Sequence, residues 1–273
     1  MRVLAERDTS TALAAVGAAD RIVARSGEGD LPLGPYTNAL ERIPQITKDS
    51  ADLPSPEVVL GQRADLVLAG HVTRQHVQAL EAVGIPVIVP AWFCGEVFGD
   101  TAPVDFTDTY RTLQTLGRIF GTDDIARETV ADLRRRVTTI TRRFASAAPR
   151  PATNVYLSPS QLDVYGGPSV NNAVLNTLGL TNVFADSKQR TATVSSEALL
   201  ARNPTVIIVS FGTNYGISNG QQAVRVLAGM PGLAQLTAVR EHRLITLNYS
   251  YLTGGPLTVD GLEMLARQLA ELK

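Results

Sequence analysis

The chain has 273 residues, 44% hydrophobic and 19% charged, and its 25 Lys and Arg against 26 Asp and Glu give a formal net charge of −1. That length fills one large core or two moderate ones, and the balanced charge lacks the basic stripe that holds nucleic acid, so no nucleic-acid partner is expected. No apolar run approaches the roughly 18 residues of a membrane span, the start from Met1-Arg2-Val3-Leu4 into Glu6, Arg7 and Asp8 is unlike a secretory signal, and the single Cys94, expected to be a small buried apolar residue, excludes an internal disulfide.

In chain order, Val3–Ala5 predicts a short edge strand, Thr9–Val16 a helix stopped by Gly17, and Arg21–Ala24 the next strand. Ser26–Leu53 is interrupted by Gly27, Gly29, Pro32, Gly34, Pro35 and Pro44, too often for a regular element. Loops of that length are often functional, and Tyr36 within it is a candidate for a ligand wall or for an anchor to the core. Ser55-Pro56-Glu57 then has the form of a helix start, with Ser at the N-cap, Pro where its missing N–H costs nothing, and an acid beside the positive end of the dipole. The helix Pro56–Arg63, the strand Asp65–Ala69, the helix Thr73–Val83 and the strand Ile85–Val89 follow. Alternating helices and strands imply parallel βαβ units, whose ligands collect beyond the carboxyl ends of the strands. Those ends carry Arg7, Gly70-His71 and Ala91-Trp92-Phe93. Trp92, the only tryptophan, and Phe93 are either a stacking platform or rings that close the core.

Thr122–Phe144 contains no Gly or Pro, and Ala126, Val130, Leu133, Val137, Ile140 and Phe144 recur at steps of four and three, which aligns them on one helix face. Thr122 is the expected N-cap through its side-chain oxygen, Asp123 and Asp124 suit the start, and Arg142 and Arg143 suit the end. A helix of about 24 residues reaches roughly 36 Å, the length of a strut between two lobes.

In the C-terminal half, Asn154–Leu157 is a strand, Tyr165-Gly166-Gly167-Pro168-Ser169 a turn, and Val170–Leu178 a helix ended by Gly179. Ser195-Ser196-Glu197 through Val209 then aligns without a gap beneath Ser55-Pro56-Glu57 through Ala69: Ser-x-Glu, an apolar helical face, a break and an apolar strand. Such a self-match argues for two lobes of one architecture. The helix Gln221–Ala228, the strand Leu244–Leu247 and the amphipathic helix Val259–Leu272 complete the chain.

With these elements in place the chain resembles the bacterial ABC-importer substrate-binding proteins with a single helical hinge, which bind ferric siderophores, haem or cobalamin. The resemblance is carried by the two Ser-x-Glu units, by Asn172–Asp186 and by Gly255-Pro256-Leu257-Thr258-Val259-Asp260-Gly261-Leu262. It implies an α/β protein of two Rossmann-like lobes with parallel-type sheets, residues 1–121 and 148–273, joined by a helix over 122–147, with the ligand in the cleft between them. It also implies that Glu57 and Glu197 dock on arginines of a dimeric ABC importer permease, a role suited to exposed acids on helix starts. Ligand-binding candidates are Arg7, Tyr36, His71, Trp92 and Phe93 in the first lobe and Tyr165, Tyr215, Tyr249 and Tyr251 in the second; Arg25 is a further cation for an anionic cargo. Tyrosine offers a flat apolar face with a hydroxyl at its edge, which suits a bulky chelate.

No bare-metal site is expected, because His71, His76 and His242 are the only histidines and His71 and His76, five apart, share no helix face. His71 or a tyrosine is instead a candidate axial ligand to haem iron. No resident cofactor and no catalytic residue are expected: Ser158 and Ser210 are the nucleophiles to consider, but no Gly-x-Ser-x-Gly elbow, dinucleotide turn or paired carboxylate motif is present. The cargo expected from the resemblance is a ferric siderophore, with haem or cobalamin as the alternative; an enzyme or a ligand sensor is the alternative of another class. A monomer outside the cytoplasm, attached through a lipidated N-terminal Cys that this chain does not contain, is the expected setting, with Met1 then belonging to a trimmed chain.

Overall fold

The computed structural model describes residues 1–27, 32–47, 53–99, 102–146, 148–158, 161–213 and 216–272. By its internal contacts the chain divides into two compact units, Met1–Asp100 with Phe106–Leu133 and Gly254–Leu257, and Thr101–Asp105 with Arg134–Thr253 and Thr258–Lys273.

In the first unit, β1 (Val3–Glu6) leads into α1 (Arg7–Ala15), β2 (Ile22–Ser26), α2 (Thr37–Leu40), α3 (Pro56–Gly61), β3 (Leu66–Leu68), α4 (Arg74–Ala82) and β4 (Val87–Ile88). The sheet order is β2-β1-β3-β4 and every pairing is parallel. β1 is therefore an interior strand, not the edge strand its shortness suggests. All four of its residues are buried, as a strand covered on both faces requires. Leu4 and Val67 of the sheet pack with Val59 of α3, Leu80 of α4 and Ile85.

α5 (Cys94–Phe98), α6 (Phe106–Phe120) and α7 (Asp123–Phe144) follow. α6 was not anticipated, although Phe106, Tyr110, Leu113 and Leu116 are buried at helical spacing. A Cβ on Gly117 would lie 2.4 Å from Cβ of Ala126, so glycine lets α6 lie directly on α7. In α7, Ala126, Val130, Leu133 and Ile140 are buried, the face that the spacing sets. Thr122 departs from expectation: its carbonyl accepts the Ala126 N–H at 3.0 Å, but its hydroxyl is buried and caps nothing.

The second unit contains β5 (Arg150–Ser158), β6 (Gln161–Tyr165), α8 (Val170–Thr177), β7 (Leu180–Asn182), β8 (Thr191–Thr193), α9 (Ser196–Arg202), β9 (Val206–Phe211), α10 (Gly220–Gly229), α11 (Thr237–Arg240), β10 (Leu244–Asn248) and α12 (Leu257–Glu271). Its sheet runs β10-β9-β5-β6-β8, with β7 also on β5. β6 is antiparallel to both β5 and β8, so this sheet is mixed rather than wholly parallel. Only positions 159 and 160 separate β5 from β6, too few for a parallel crossover.

The Ser-x-Glu repeat is physical as well as textual. Val59 and Leu199 hold equivalent places in α3 and α9 and are both fully buried. Arg63 and Asn203, equivalent again, leave the two helices with φ of 54° and 37°, in the left-handed region. Each part of α7 is tied to its own unit. Thr129 Oγ1 donates to Ala15 O at 2.8 Å, whereas Arg136 donates to Glu263 Oε1 at 2.7 Å and Asp260 Oδ1 at 2.5 Å. The hydrogen bond to Glu263 is the largest influence on Arg136 and, with the weaker hydrogen bond to Asp260 and the charges of both acids, outweighs burial and raises the guanidinium above its ordinary value.

Candidate functional site

β1 ends on a charged side chain with almost no exposure. Glu6 is 2% exposed, and its Oε2 accepts the N–H groups of Gly70 at 2.5 Å and His71 at 2.9 Å, while its Oε1 pairs with Nδ1 of His71. Adjacent parallel strands produce this arrangement, because the amides just past β3 face the carboxyl end of β1. Burial is the largest single influence on Glu6 and raises its pKa; the charge and hydrogen bond of His71, with the two amides, outweigh it and hold the carboxyl below its ordinary value. The Thr9 hydroxyl lies 2.8 Å from Glu6 O and 2.6 Å from Leu68 O, which joins α1 to both strand ends.

The His71 side chain remains 29% exposed and borders a cavity of about 600 Å³ with Ser55, Gly70, Val72, Thr73 and His76. Phe93 lies against the imidazole, with ring centroids 4.6 Å apart and planes at 60°. A Cβ on Gly70 would fall 2.0 Å from the Phe93 ring, so the absence of a side chain there lets the ring sit beneath the Glu6–His71 pair. Phe93 and Trp92 are 0% and 1% exposed and back the site rather than face solvent. Trp92 packs on Gly254 and Gly255, whose φ values of +121° and +73° favour glycine.

Arg7 is also buried and donates through Nε to Asp8 Oδ1 at 3.1 Å. Arg25, at the end of β2, is 7% exposed, and burial lowers its guanidinium below its ordinary value. Tyr36 is half-buried at the start of α2. His76 Nε2 lies 3.0 Å from Pro54 O, and among the described residues no cluster of three or more His, Cys, Asp or Glu side chains is placed to hold a metal ion.

In the second unit a buried polar chain positions the tyrosines. Ser210 Oγ donates to Asn154 Oδ1 at 2.5 Å, Asn154 Nδ2 donates to Asn171 Oδ1 at 2.5 Å, and Asn171 Nδ2 donates to Leu252 O at 3.0 Å. The chain fixes the single turn Tyr249–Tyr251 against β5 and β9, and Asn248 Oδ1 closes its start by accepting the Ser250 N–H at 3.0 Å. Tyr249 is buried and meets Tyr156 edge-on at 5.2 Å. Tyr251 lines a cavity of about 460 Å³ with Phe211, Asn248, Arg267 and Gln268; burial and then the charge of Asp260 push its phenol up.

Tyr165 stands apart from that pair. Because β6 runs antiparallel, Tyr165 lies one residue beyond the Val155–Val164 pairing, away from Ser158 at the carboxyl end of β5, and it is buried. Tyr215 lies outside the described residues. Glu6, Tyr156 and the Asn154–Asn171 link were missed by the sequence reading. For Glu6 a signal was present, since an acid closing a wholly apolar strand needs a partner.

Glu57 and Glu197 are exposed on the first turns of α3 and α9. The hydroxyls of Ser55 and Ser195 hydrogen-bond these carboxyls and, with the backbone N–H of each Glu, hold them below their ordinary value. Ser195 Oγ also accepts the Ala198 N–H at 3.2 Å, whereas Ser55 makes no cap of that kind.

The sequence model for periplasmic binding proteins matches residues 3–251. The chain belongs to the periplasmic binding protein family. Members of the family bind solutes for transport. A solved family member from Saccharomonospora viridis, described as an ABC-type Fe3+-hydroxamate transport system, is 30% identical with a TM-score of 0.84 over 98% of this chain and 92% of its own. The vitamin B12-binding protein of Photorhabdus laumondii is 26% identical over 98% of this chain and 88% of its own length. A periplasmic haem-binding protein from Pseudomonas aeruginosa, at 23% identity, shares the fold with a TM-score of 0.76 over 100% of this chain and 94% of its own. Among the described residues of this periplasmic binding protein no helix is long and apolar enough to cross a membrane.

Proposed function

We propose that this periplasmic binding protein captures a ferric siderophore and delivers it to the permease of an ABC importer. The observation that carries the proposal is the likeness to the Fe3+-hydroxamate transport protein, 30% identical over 98% of this chain. The site chemistry agrees with it. In each unit aromatic side chains and hydrogen-bonding groups gather at carboxyl ends of strands, His71 with Phe93 in one and Tyr249 with Tyr251 in the other, an apolar and polar mixture that suits a bulky chelate. In this reading Tyr36, His71 and Tyr251 meet the cargo, the buried Arg7, Trp92, Phe93, Tyr165 and Tyr249 support them, residues 122–147 join lobes 1–121 and 148–273, and no bond of the cargo is broken. Glu57 and Glu197 dock on the permease, and the protein acts as a monomer outside the cytoplasm, held by a lipid anchor.

A second reading, a haem or corrinoid cargo, is favoured by the Glu6–His71 pair. A buried carboxylate on Nδ1 orients an imidazole and strengthens its other nitrogen as a metal ligand, which suits a chelate with an open axial position.

Titrating the protein with a ferric trihydroxamate, a ferric catecholate, haem and cobalamin, followed by Trp92 emission, tests the assignment. Submicromolar quenching by a ferric siderophore supports it, submicromolar quenching by haem or cobalamin alone replaces it with the second reading, and no response to any of the four contradicts both.

A further inference from the structure

The two faces of the second sheet differ in chemistry. Val155 and Leu157 of β5 and Ile207 and Val209 of β9 belong to one apolar core. Residues that alternate with them, Asn154, Tyr156 and Ser210, lie on the opposite face, where Tyr156 pairs in register with Ser210. Asn154 and Ser210 are 1% and 0% exposed, and Asn171 of α8 is 1% exposed. Three enclosed polar side chains thus lead to the Tyr249–Tyr251 turn.

Their hydrogen bonds run in one direction. The Ser210 hydroxyl donates to Asn154 Oδ1 at 2.5 Å, which turns the Asn154 N–H toward Asn171 Oδ1, again at 2.5 Å, and so turns the Asn171 N–H toward Leu252 O at 3.0 Å. Each amide is oriented by the group before it. Within the turn, Leu252 N donates to Tyr249 O at 2.8 Å, Ser250 N to Asn248 Oδ1 at 3.0 Å and Thr253 Oγ1 to Ser250 O at 3.2 Å. These bonds span three residues or fewer and shape the turn without holding it on the sheet. The bond from Asn171 spans 81 positions and does hold it, beside the edge-on contact of Tyr249 with Tyr156. Enclosed polar side chains carry a desolvation cost that an apolar core avoids, so what this chain supplies is a defined geometry rather than added stability.

We infer that Asn171 is a positioning residue for the cargo: its donation to Leu252 O sets the Tyr249–Tyr251 turn, and through it the half-buried Tyr251. This rests on the reading that Tyr251 meets a bulky chelate, and adds the residue that places it. Position 171 needs a side chain that accepts at one atom and donates from the other. A carboxyl group has the shape of the amide and does both only when protonated; ionised, it has no donor and sets a negative charge against Leu252 O. Burial raises the pKa of such a carboxyl, so Asn171→Asp makes the contact depend on pH.

The test uses the full chain, Asn171→Ala and Asn171→Asp, titrated with a ferric trihydroxamate, haem and cobalamin at about pH 5 and about pH 8, below each variant's melting transition. Wild type at both pH values corrects for titration of the probes. Asn171→Ala is expected to bind the wild-type cargo on the order of tenfold more weakly at both. Asn171→Asp is expected to bind within about threefold of wild type at the lower pH and no better than Asn171→Ala at the higher. A merely structural role lowers the melting temperature but leaves the affinity of the folded protein, and its pH profile, as in wild type; that result overturns the inference. Should either variant fail to fold, Ser210→Ala, which removes the first donor and touches no residue of the turn, is expected to weaken binding about threefold, and unchanged affinity there overturns the inference as well. The two readings fail separately. Binding of haem or cobalamin without the trihydroxamate, with the same dependence on position 171, ends the siderophore reading alone. Trihydroxamate binding indifferent to position 171 ends the positioning role alone, and no wild-type binding of any probe ends both.

Discussion

Nδ1 of His71 meets a carboxylate 65 positions earlier in the chain, that of Glu6, and the acid in this pair is almost completely enclosed while the imidazole is partly open to a cavity. The pair joins the ends of two adjacent strands, so it is a structural tie as well as a feature of the binding surface. Its titration is therefore visible in stability.

Glu6 has a folded-state pKa held below its ordinary value, so the native state binds fewer protons than the unfolded chain as pH falls through that range. The stabilisation is complete above the unfolded value of about 4.3 and is lost as pH falls through the lower folded value. Replacing Glu6 with Gln is expected to cost about 2 kcal/mol at neutral pH and to flatten the acid limb of a melting-temperature profile taken from pH 7 to 3. A variant with the wild-type acid limb contradicts the assignment.

Gly70→Ala places a methyl group 2.0 Å from the Phe93 ring. The ring is fully buried and has little room to retreat, so a loss of about 2–3 kcal/mol in chemical denaturation is expected. A loss below 0.5 kcal/mol would mean that the Phe93 ring is free to shift.

Arg63 holds φ of 54° where its repeat partner Asn203 holds 37°. Asparagine tolerates the left-handed region and arginine does not do so readily. Arg63→Gly is expected to stabilise the protein by about 0.5–1 kcal/mol in a denaturant titration, with no change in ligand affinity. A lower unfolding midpoint contradicts strain at this turn.

Glu57→Lys with Glu197→Lys reverses two exposed charges on the first turns of α3 and α9. The double variant is expected to keep its cargo affinity and to abolish transport in cells that carry the matching permease. Transport at the wild-type rate removes the docking role.

The legible parts of the chain were local. The two Ser-x-Glu helices, the strands after them and the face of α7 follow from caps and apolar spacing within a dozen or two residues, and each stands where that spacing puts it. What the sequence hid depends on pairing between distant segments. Four apolar residues at Val3–Glu6 do not say whether one neighbour or two will flank them, and only the pairing with both β2 and β3 makes β1 interior. Tyr165 ends a strand much as Tyr249 follows one, yet the reversal of β6 carries it away from the carboxyl end of β5. Glu6 and His71 share no local pattern; the two meet because β1 and β3 are neighbours.

The most direct test of the central claim is equilibrium dialysis of the purified chain against a radio-iron-labelled ferric trihydroxamate over a nanomolar to micromolar range. A saturable isotherm with about one iron per chain and half-saturation below a micromolar is the predicted result. Iron retained no better than by a buffer blank across that range contradicts the account.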